Sequence, residues 1–196
     1  MKILVLCKIS KNKLDNSFSY HIDIRIFNFL NFVFPKSIIE IHNKQNIKND
    51  YDLIFITGGN TLIRFSKEKK DKLRYLETNR VINNFIRLKI PIIGICYGAQ
   101  IIASKYNSKF SKSNIHVGDH ETFYNDKKII VNSYHNYVVN KLGRELEPIS
   151  IAQDGTYEAF IHENRRIMGI MWHPERYNRM KKNDKDIIIK FYKDLS

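Results

Sequence analysis

Apolar residues follow two rhythms along this 196-residue chain. In the first half, short unbroken apolar runs alternate with longer stretches at helical spacing. Residues 2–7 are the first run, the pattern of a strand buried on both faces. Residues 8–17 are polar and read as a loop. From Ser17 to Phe34 the apolar positions Phe18, Ile22, Ile26, Phe29, Leu30 and Val33 recur at roughly helical spacing, with Ser17 or Ser19 as a cap and Pro35 as a stop. Residues 37–41 read as a short strand and 42–50 as a polar connector. A second buried strand over 52–57 closes on Gly58-Gly59-Asn60. Residues 61–75 are charged and aperiodic, which predicts a mobile loop over a site. A helix over 78–89 follows, with Val81, Ile82, Phe85, Ile86 and Leu88 apolar. Then come a strand over 91–95 and a helix over 97–106.

The second half breaks into shorter strands, over 115–123, 128–131, 149–153, 157–162 and 166–172. Asp154-Gly155 is a hairpin signal between two of them. Residues 184–195 close the chain as an amphipathic helix. Strands alternating with helices, then strands in succession, predict an α/β fold. Its sheet would be mainly parallel and flanked by helices, with an antiparallel addition in the second half. Residues 1–196 read as one domain, without repeats or a linker.

Composition narrows the function classes. No apolar run reaches the length of a membrane span, and the start lacks a signal-peptide pattern. Two cysteines make no disulfide framework, so a reducing cytoplasm is expected. The formal net charge is +13, but the basic residues are spread along the chain and form no recognition motif. No nucleic-acid partner is expected; attraction of an anionic small substrate is a milder use of the charge.

Candidate chemistry centres on Gly94-Ile95-Cys96-Tyr97-Gly98. A lone cysteine is commonly a small buried hydrophobe. Here it stands between two glycines at a strand-to-helix turn, the form of a nucleophile elbow. There the following backbone N–H helps build an oxyanion hole, and the helix N-terminus favours a thiolate. Such a nucleophile needs a base. Of seven histidines, His173 stands at a strand end with Glu175 two residues on and Pro174 between them. That spacing suits a histidine oriented by a carboxylate, or a surface His-Pro turn. Gly58-Gly59 is an ordinary turn signal, and beside an elbow it becomes a candidate for the second oxyanion donor. Asn132-Ser133-Tyr134-His135-Asn136 is polar enough to line a pocket, with His135 read as a substrate contact rather than a second base. His116 and His120 are four apart, but no cysteine or carboxylate sits at ligand spacing in sequence, so no metal is expected. His21, His42 and His162 read as surface residues.

Taken together, Thr57-Gly58-Gly59-Asn60, Gly94 to Gln100 and Trp172-His173-Pro174-Glu175 resemble the class I glutamine amidotransferase superfamily, in order and nearly end to end. Within it, Val131 to His135, Asp154-Gly155-Thr156-Tyr157-Glu158-Ala159 and Gly169 to Arg176 are similar to the γ-glutamyl hydrolase branch (peptidase family C26). Tyr97 stands where that branch carries arginine. The resemblance implies a Cys96–His173–Glu175 triad that attacks a γ-glutamyl amide and passes through a glutamyl thioester, with no cofactor. It implies oxyanion donors at the N–H groups of Gly59 and Tyr97. It implies substrate contacts at Gly58, Asn60, Gln100, Ser133, Tyr134 and His135. The segments 132–137 and 171–176 are most similar to members of bacterial surface-polysaccharide loci, which implies a cytidine nucleotide conjugate as one candidate substrate. Residues 61–75 and 107–126 would wall it, and a homodimer is compatible with the pattern. Two other classes stay open: a glutaminase subunit feeding ammonia to a partner synthase, and a binding protein without catalysis.

Overall fold

The computed structural model describes residues 1–44 and 47–194. Gln45 and Asn46, within the expected connector, and Leu195, the expected end of the last helix, lie outside the described residues, as does Ser196.

The parallel half of the sheet is built from the unbroken apolar runs. β1 (Lys2–Leu6), β4 (Ile38–Ile41), β5 (Leu53–Ile56), β6 (Ile92–Ile95) and β13 (Arg165–Ile170) lie side by side in the order β4-β1-β5-β6-β13, every pairing parallel. Side chains alternate across a strand, so a run buried on both faces feeds two cores at once. Ile3 and Val5 of β1 and Leu53 and Phe55 of β5 enter one core, while Leu4, Leu6, Ile54 and Ile56 enter the other. Helices α1 (Ile24–Val33) and α4 (Lys182–Asp194) cover the first face through Ile26, Phe29, Leu30, Ile187 and Phe191. Helices α2 (Lys69–Arg87) and α3 (Tyr97–Lys105) cover the second through Val81, Ile82, Phe85, Ile101 and Ile102.

The antiparallel addition continues from β13 through β12 (Tyr157–His162), β11 (Leu146–Ala152), β8 (Val117–Tyr124) and β9 (Lys127–Tyr134). β10 (Tyr137–Lys141) pairs with β12 and with β7 (Lys109–Lys112) off this path. The Asp154-Gly155 signal is the turn between β11 and β12, with Gly155 at φ +81°.

Four expectations give way to the structure. Residues 8–21 are not a loop running into a helix: β2 (Lys8–Lys11) and β3 (Phe18–His21) form a separate two-stranded hairpin. Helix α1 therefore starts after Asp23, whose carboxylate accepts the Arg25 N–H at 3.0 Å, and neither Ser17 nor Ser19 caps it. Residues 61–75 are not aperiodic coil, because α2 begins at Lys69. The helical period is carried there by buried polar residues, Asp71, Arg74 and Thr78, which a hydrophobicity pattern does not see. Finally, His42 and His162 are not surface residues, being 4% and 2% exposed; His162 lies edge-on to Tyr106.

Candidate active site

β5, β6 and β13 are adjacent and parallel, so their C-terminal ends share one edge of the sheet. Open α/β sheets offer their binding crevices at such ends. The pairing register sets Ile56 beside Gly94, and Gly94 beside Gly169. The residues that follow these strands are Gly58-Gly59, Cys96 and His173, which gathers three separate sequence segments at one point.

Cys96 adopts φ 51° and ψ −101°, a conformation rare for a residue with a Cβ. Its N–H donates to the Ile170 carbonyl at 2.7 Å and its carbonyl accepts the Gln100 N–H at 2.9 Å. Both flanking glycines are required by close approach. A Cβ on Gly94 would lie 2.3 Å from the Gly98 carbonyl carbon, and one on Gly98 would lie 2.4 Å from the Ile56 oxygen. Cys96 caps helix α3, where the first N–H groups have no intrahelical acceptor. The other thiol, Cys7, is buried in the core, and burial pushes its pKa up to about 11. It is a core residue in its neutral form.

His173 lies three residues past the end of β13 and is 2% exposed. Its Nδ1 lies 2.7 Å from Glu175 Oε1, and Glu175 sits in a 3-10 turn over Pro174–Arg176 that begins right after the histidine. Asn132, at the far end of β9, accepts the His173 N–H with its carbonyl at 3.0 Å and its side-chain oxygen at 3.2 Å. Burial pulls the His173 pKa down. The neighbouring Cys96 and the bond to Glu175 outweigh it and hold the value up to about 9. Behind this group, Trp172 donates from Nε1 to Asp184 on α4 at 3.0 Å.

Gly58 is the floor between the two side chains. A Cβ there would stand 2.8 Å from His173 Cε1 and 3.3 Å from Cys96 Cβ. Gly59 has φ +115°, and the Lys8 side chain packs across it. A cavity of about 130 Å³ opens at this point, lined among others by Lys8, His21, Gly59, His173 and Arg176. One wall thus comes from the β2–β3 hairpin, an element the hydrophobic pattern does not reveal.

The other expected site residues divide. The Tyr97 ring is fully buried, with the Arg74 guanidinium 5.3 Å over it, so this side chain faces the core and only its backbone borders the elbow. Arg74, itself 2% exposed, donates to the carbonyls of Leu6 at 2.7 Å and Thr57 at 3.3 Å, tying two strand ends beneath the site. Asn60 turns inward: its amide oxygen accepts from Ile9 N–H at 2.9 Å, and its nitrogen donates to Ile9 O at 3.0 Å and to Asp71 at 2.8 Å. Gln100 donates to the Tyr137 carbonyl at 3.0 Å. Ser133 is buried and points at Glu158, 3.4 Å away, and buried His135 has its Nε2 3.7 Å from the same carboxylate. Tyr134, half exposed, lies edge-on to His173 with ring centroids 5.6 Å apart, under the Arg176 guanidinium. Asn132 and Arg74 are supporting residues absent from the sequence-derived set, although both lie inside segments that reading singled out.

The chemistry available here is that of a thiol on a strained turn, a buried imidazole and a carboxylate fixing the imidazole. The class follows from family-level similarity as well. The model for glutamine amidotransferase class-I matches residues 26–195, and the chain belongs to that family. It is 44% identical over 125 residues to the gamma-glutamyl-CDP-amidate hydrolase of Campylobacter jejuni subsp. jejuni serotype O:2, a match covering 64% of this chain and 62% of that protein. It is 29% identical over 100 residues to the carbamoyl phosphate synthase small chain of Pyrobaculum aerophilum, covering 48% of this chain and 29% of that one. The chain thus spans less than two thirds of these relatives' lengths. A solved glutamine amidotransferase from Thermotoga maritima superposes with TM-score 0.68 at 14% identity over 96% of this chain and 81% of that one, which places the fold. Among the described residues no helix is long and apolar enough to cross a membrane.

Proposed function

We propose that this chain hydrolyses a γ-glutamyl amide through a glutamyl thioester on Cys96. The observation that carries the reading is the convergence of Cys96 and His173 across Gly58, with His173 held by Glu175 at 2.7 Å. In this scheme the Cys96 sulfur attacks the γ-carbonyl carbon. The N–H groups of Gly59 and Tyr97 receive the developing oxyanion. The C–N bond breaks as His173 gives its proton to the departing nitrogen. His173 then takes a proton from water, which attacks the thioester and releases glutamate. Glu175 keeps the imidazole in the productive tautomer. Gly58, Gln100, Tyr134 and the buried Ser133 and His135 shape the glutamyl subsite, the last two by fixing the strand end that presents Tyr134. Asn60 acts by pinning the hairpin wall.

The substrate we favour is γ-glutamyl-CDP-amidate, giving cytidine diphosphoramidate in capsular polysaccharide synthesis. The relative of that name supports it. So do the cationic groups at the cavity, Lys8 and Arg176, which suit a diphosphate. We take residues 1–196 as one catalytic domain working in a reducing cytoplasm, in keeping with two free thiols. A second reading, a glutaminase serving a synthase, draws on the similarity to a carbamoyl phosphate synthase small chain.

One assay separates them. Glutamate release is measured with γ-glutamyl-CDP-amidate, γ-glutamyl-aminobutyrate, folyl polyglutamate and glutamine, each with the purified chain alone and again with candidate synthases. Preferred turnover of the nucleotide conjugate is expected. Turnover confined to glutamine, rising only on addition of a candidate synthase, would favour the second reading, and no turnover of any γ-glutamyl amide would remove the first.

A further inference from the structure

The antiparallel half holds a second cluster of chemistry-bearing side chains, away from the elbow. Glu158 on β12 is fully buried, and three histidines converge on its Oε1 atom. His116 Nδ1 lies 3.0 Å from it, His120 Nε2 3.6 Å and His135 Nε2 3.7 Å. The donor atoms of His116, His135 and Glu158 all fall within 4.8 Å of one another. We propose that His116, His120, His135 and Glu158 bind one divalent transition ion, with Zn²⁺ the best match.

Four observations support this. The first is spacing. A tetrahedral zinc site with bonds of about 2.0–2.1 Å has neighbouring donors about 3.3 Å apart. The three distances to Glu158 bracket that edge, while the donors of His116, His135 and Glu158 spread to 4.8 Å and would draw in around an ion, with His120 joining from the Glu158 side. The second is unspent bonding capacity. Glu158 Oε1, His116 Nδ1, and both ring nitrogens of His120 and His135 are buried without a hydrogen-bond partner. Close approach without hydrogen-bond alignment is a costly arrangement for that many polar atoms. One ion at the centre would engage four of them. The third is an outer anchor. His116 presents its other nitrogen, Nε2, to Asp154 Oδ2 at 2.9 Å, and Asp154 is held in turn by the Thr156 N–H and hydroxyl. A carboxylate behind a ligating histidine is the usual way to fix its ring and tautomer. The fourth is charge. Three neutral imidazoles, Glu158, Asp154 and a dication sum to zero.

His116 and His120 lie four residues apart on an extended segment, an even spacing that puts them on one face. Their rings are 4.6 Å apart, centroid to centroid. An opening of about 350 Å³, bordered by Ile115, His116, His120 and Asp154, gives an entry path. The expectation of no metal rested on the lack of a cysteine or carboxylate at ligand spacing from His116 and His120 in sequence; β12 brings Glu158, 42 residues beyond His116, to Nδ1 of that ring while Asp154 takes Nε2. With His120 swung in beside the three mutually close donors, four protein ligands would make a closed, structural site rather than an open catalytic one. It would tie β8 and β12 to the end of β9, where Tyr134 meets His173.

The test uses tag-free protein. Metal analysis of freshly purified chain is expected to find about one zinc per chain. After chelation, Zn²⁺ alone is titrated back, with sub-micromolar saturable binding expected. The melting temperature should then rise by about 5–10 °C at a hundredfold excess over Kd. His120→Asn, at the part-exposed ligand, should weaken binding at least tenfold, whereas Cys96→Ala should leave the stoichiometry unchanged and so exclude zinc held at the elbow. X-ray absorption should show nitrogen and oxygen ligands only. Absence of saturable Zn²⁺ binding to the wild-type chain would overturn the proposal without reference to any variant. So would equal zinc content in a folded H116N/H120N double variant, or sulfur in the coordination shell.

Discussion

Replacing Gly58 by alanine tests the convergence of Cys96 and His173 with the smallest available change. The added Cβ would stand 2.8 Å from His173 Cε1 and 3.3 Å from Cys96 Cβ. Carbon atoms rest at roughly 3.5–4.0 Å, so the imidazole must retreat by about 0.7–1.2 Å. Gly58 does not sit at positive φ, so alanine adds a contact without backbone strain. His173 has little freedom to absorb the shift in its backbone, since Asn132 holds its N–H twice. Its side chain must therefore turn, stretching either the bond to Glu175 or the approach to Cys96. A misplacement of about 1 Å at reacting atoms is worth on the order of 10²-fold in rate. The overpacking itself should cost about 1–3 kcal/mol of stability. The assay is steady-state glutamate release from γ-glutamyl-CDP-amidate, paired with a thermal melt. A fall in kcat near a hundredfold in a protein that still melts cooperatively is expected. A Gly58→Ala enzyme within twofold of wild type would refute the geometry, because the reacting pair could then not lie across this residue.

Other perturbations read other parts of the site. Glu175→Gln keeps the shape but removes the charge that helps hold the His173 pKa near 9, so kcat should fall by roughly 10²–10⁴. The alkaline limb of kcat/KM should also move to lower pH; an unmoved limb would separate Glu175 from His173. Asp184 is held by burial at a pKa of about 6, above its ordinary 3.8. The folded state then binds the proton more tightly than the unfolded one, so stability falls as pH rises from 3.8 through 6 and the cost is complete above that. Asp184→Asn keeps an acceptor for Trp172 and should gain on the order of 3 kcal/mol at pH 7 and almost nothing near pH 3.5, read by denaturant titration at both values. Asn60→Ala strands the N–H and C=O of Ile9 and one bond of Asp71, and should cost about 2–3 kcal/mol with the hairpin losing amide-exchange protection first. A variant that loses activity at unchanged stability would instead mark Asn60 as a substrate contact.

The parallel core and the elbow were legible in the sequence because their signals are local. Unbroken runs such as Leu53 to Ile56 announce strands buried on both faces, and Gly94 and Gly98 mark a turn where neither tolerates a Cβ. The hairpin at residues 8–21 was not legible. Its strands pair with each other outside the main sheet, so no apolar alternation distinguishes Lys8 to Lys11 from loop. The first half of α2 was hidden for a related reason, since its inward face is Asp71, Arg74 and Thr78, whose burial depends on partners distant in sequence. Tyr97 shows the limit of motif comparison: its ring lies in the core against Arg74, so the residue type there reports packing rather than the leaving group. The cluster around Glu158 was invisible to spacing rules because its side chains are joined by sheet topology, not by sequence proximity.

Acid-quench mass spectrometry reads out whether Cys96 carries the glutamyl group. The chain is mixed with γ-glutamyl-CDP-amidate, quenched within the first turnovers and digested. A mass gain of one glutamyl residue is expected on the peptide holding Cys96, lost on treatment with hydroxylamine and absent from Cys96→Ala, which also releases no glutamate. Continued glutamate release by folded Cys96→Ala, or a glutamyl adduct on Cys7 instead, would contradict it.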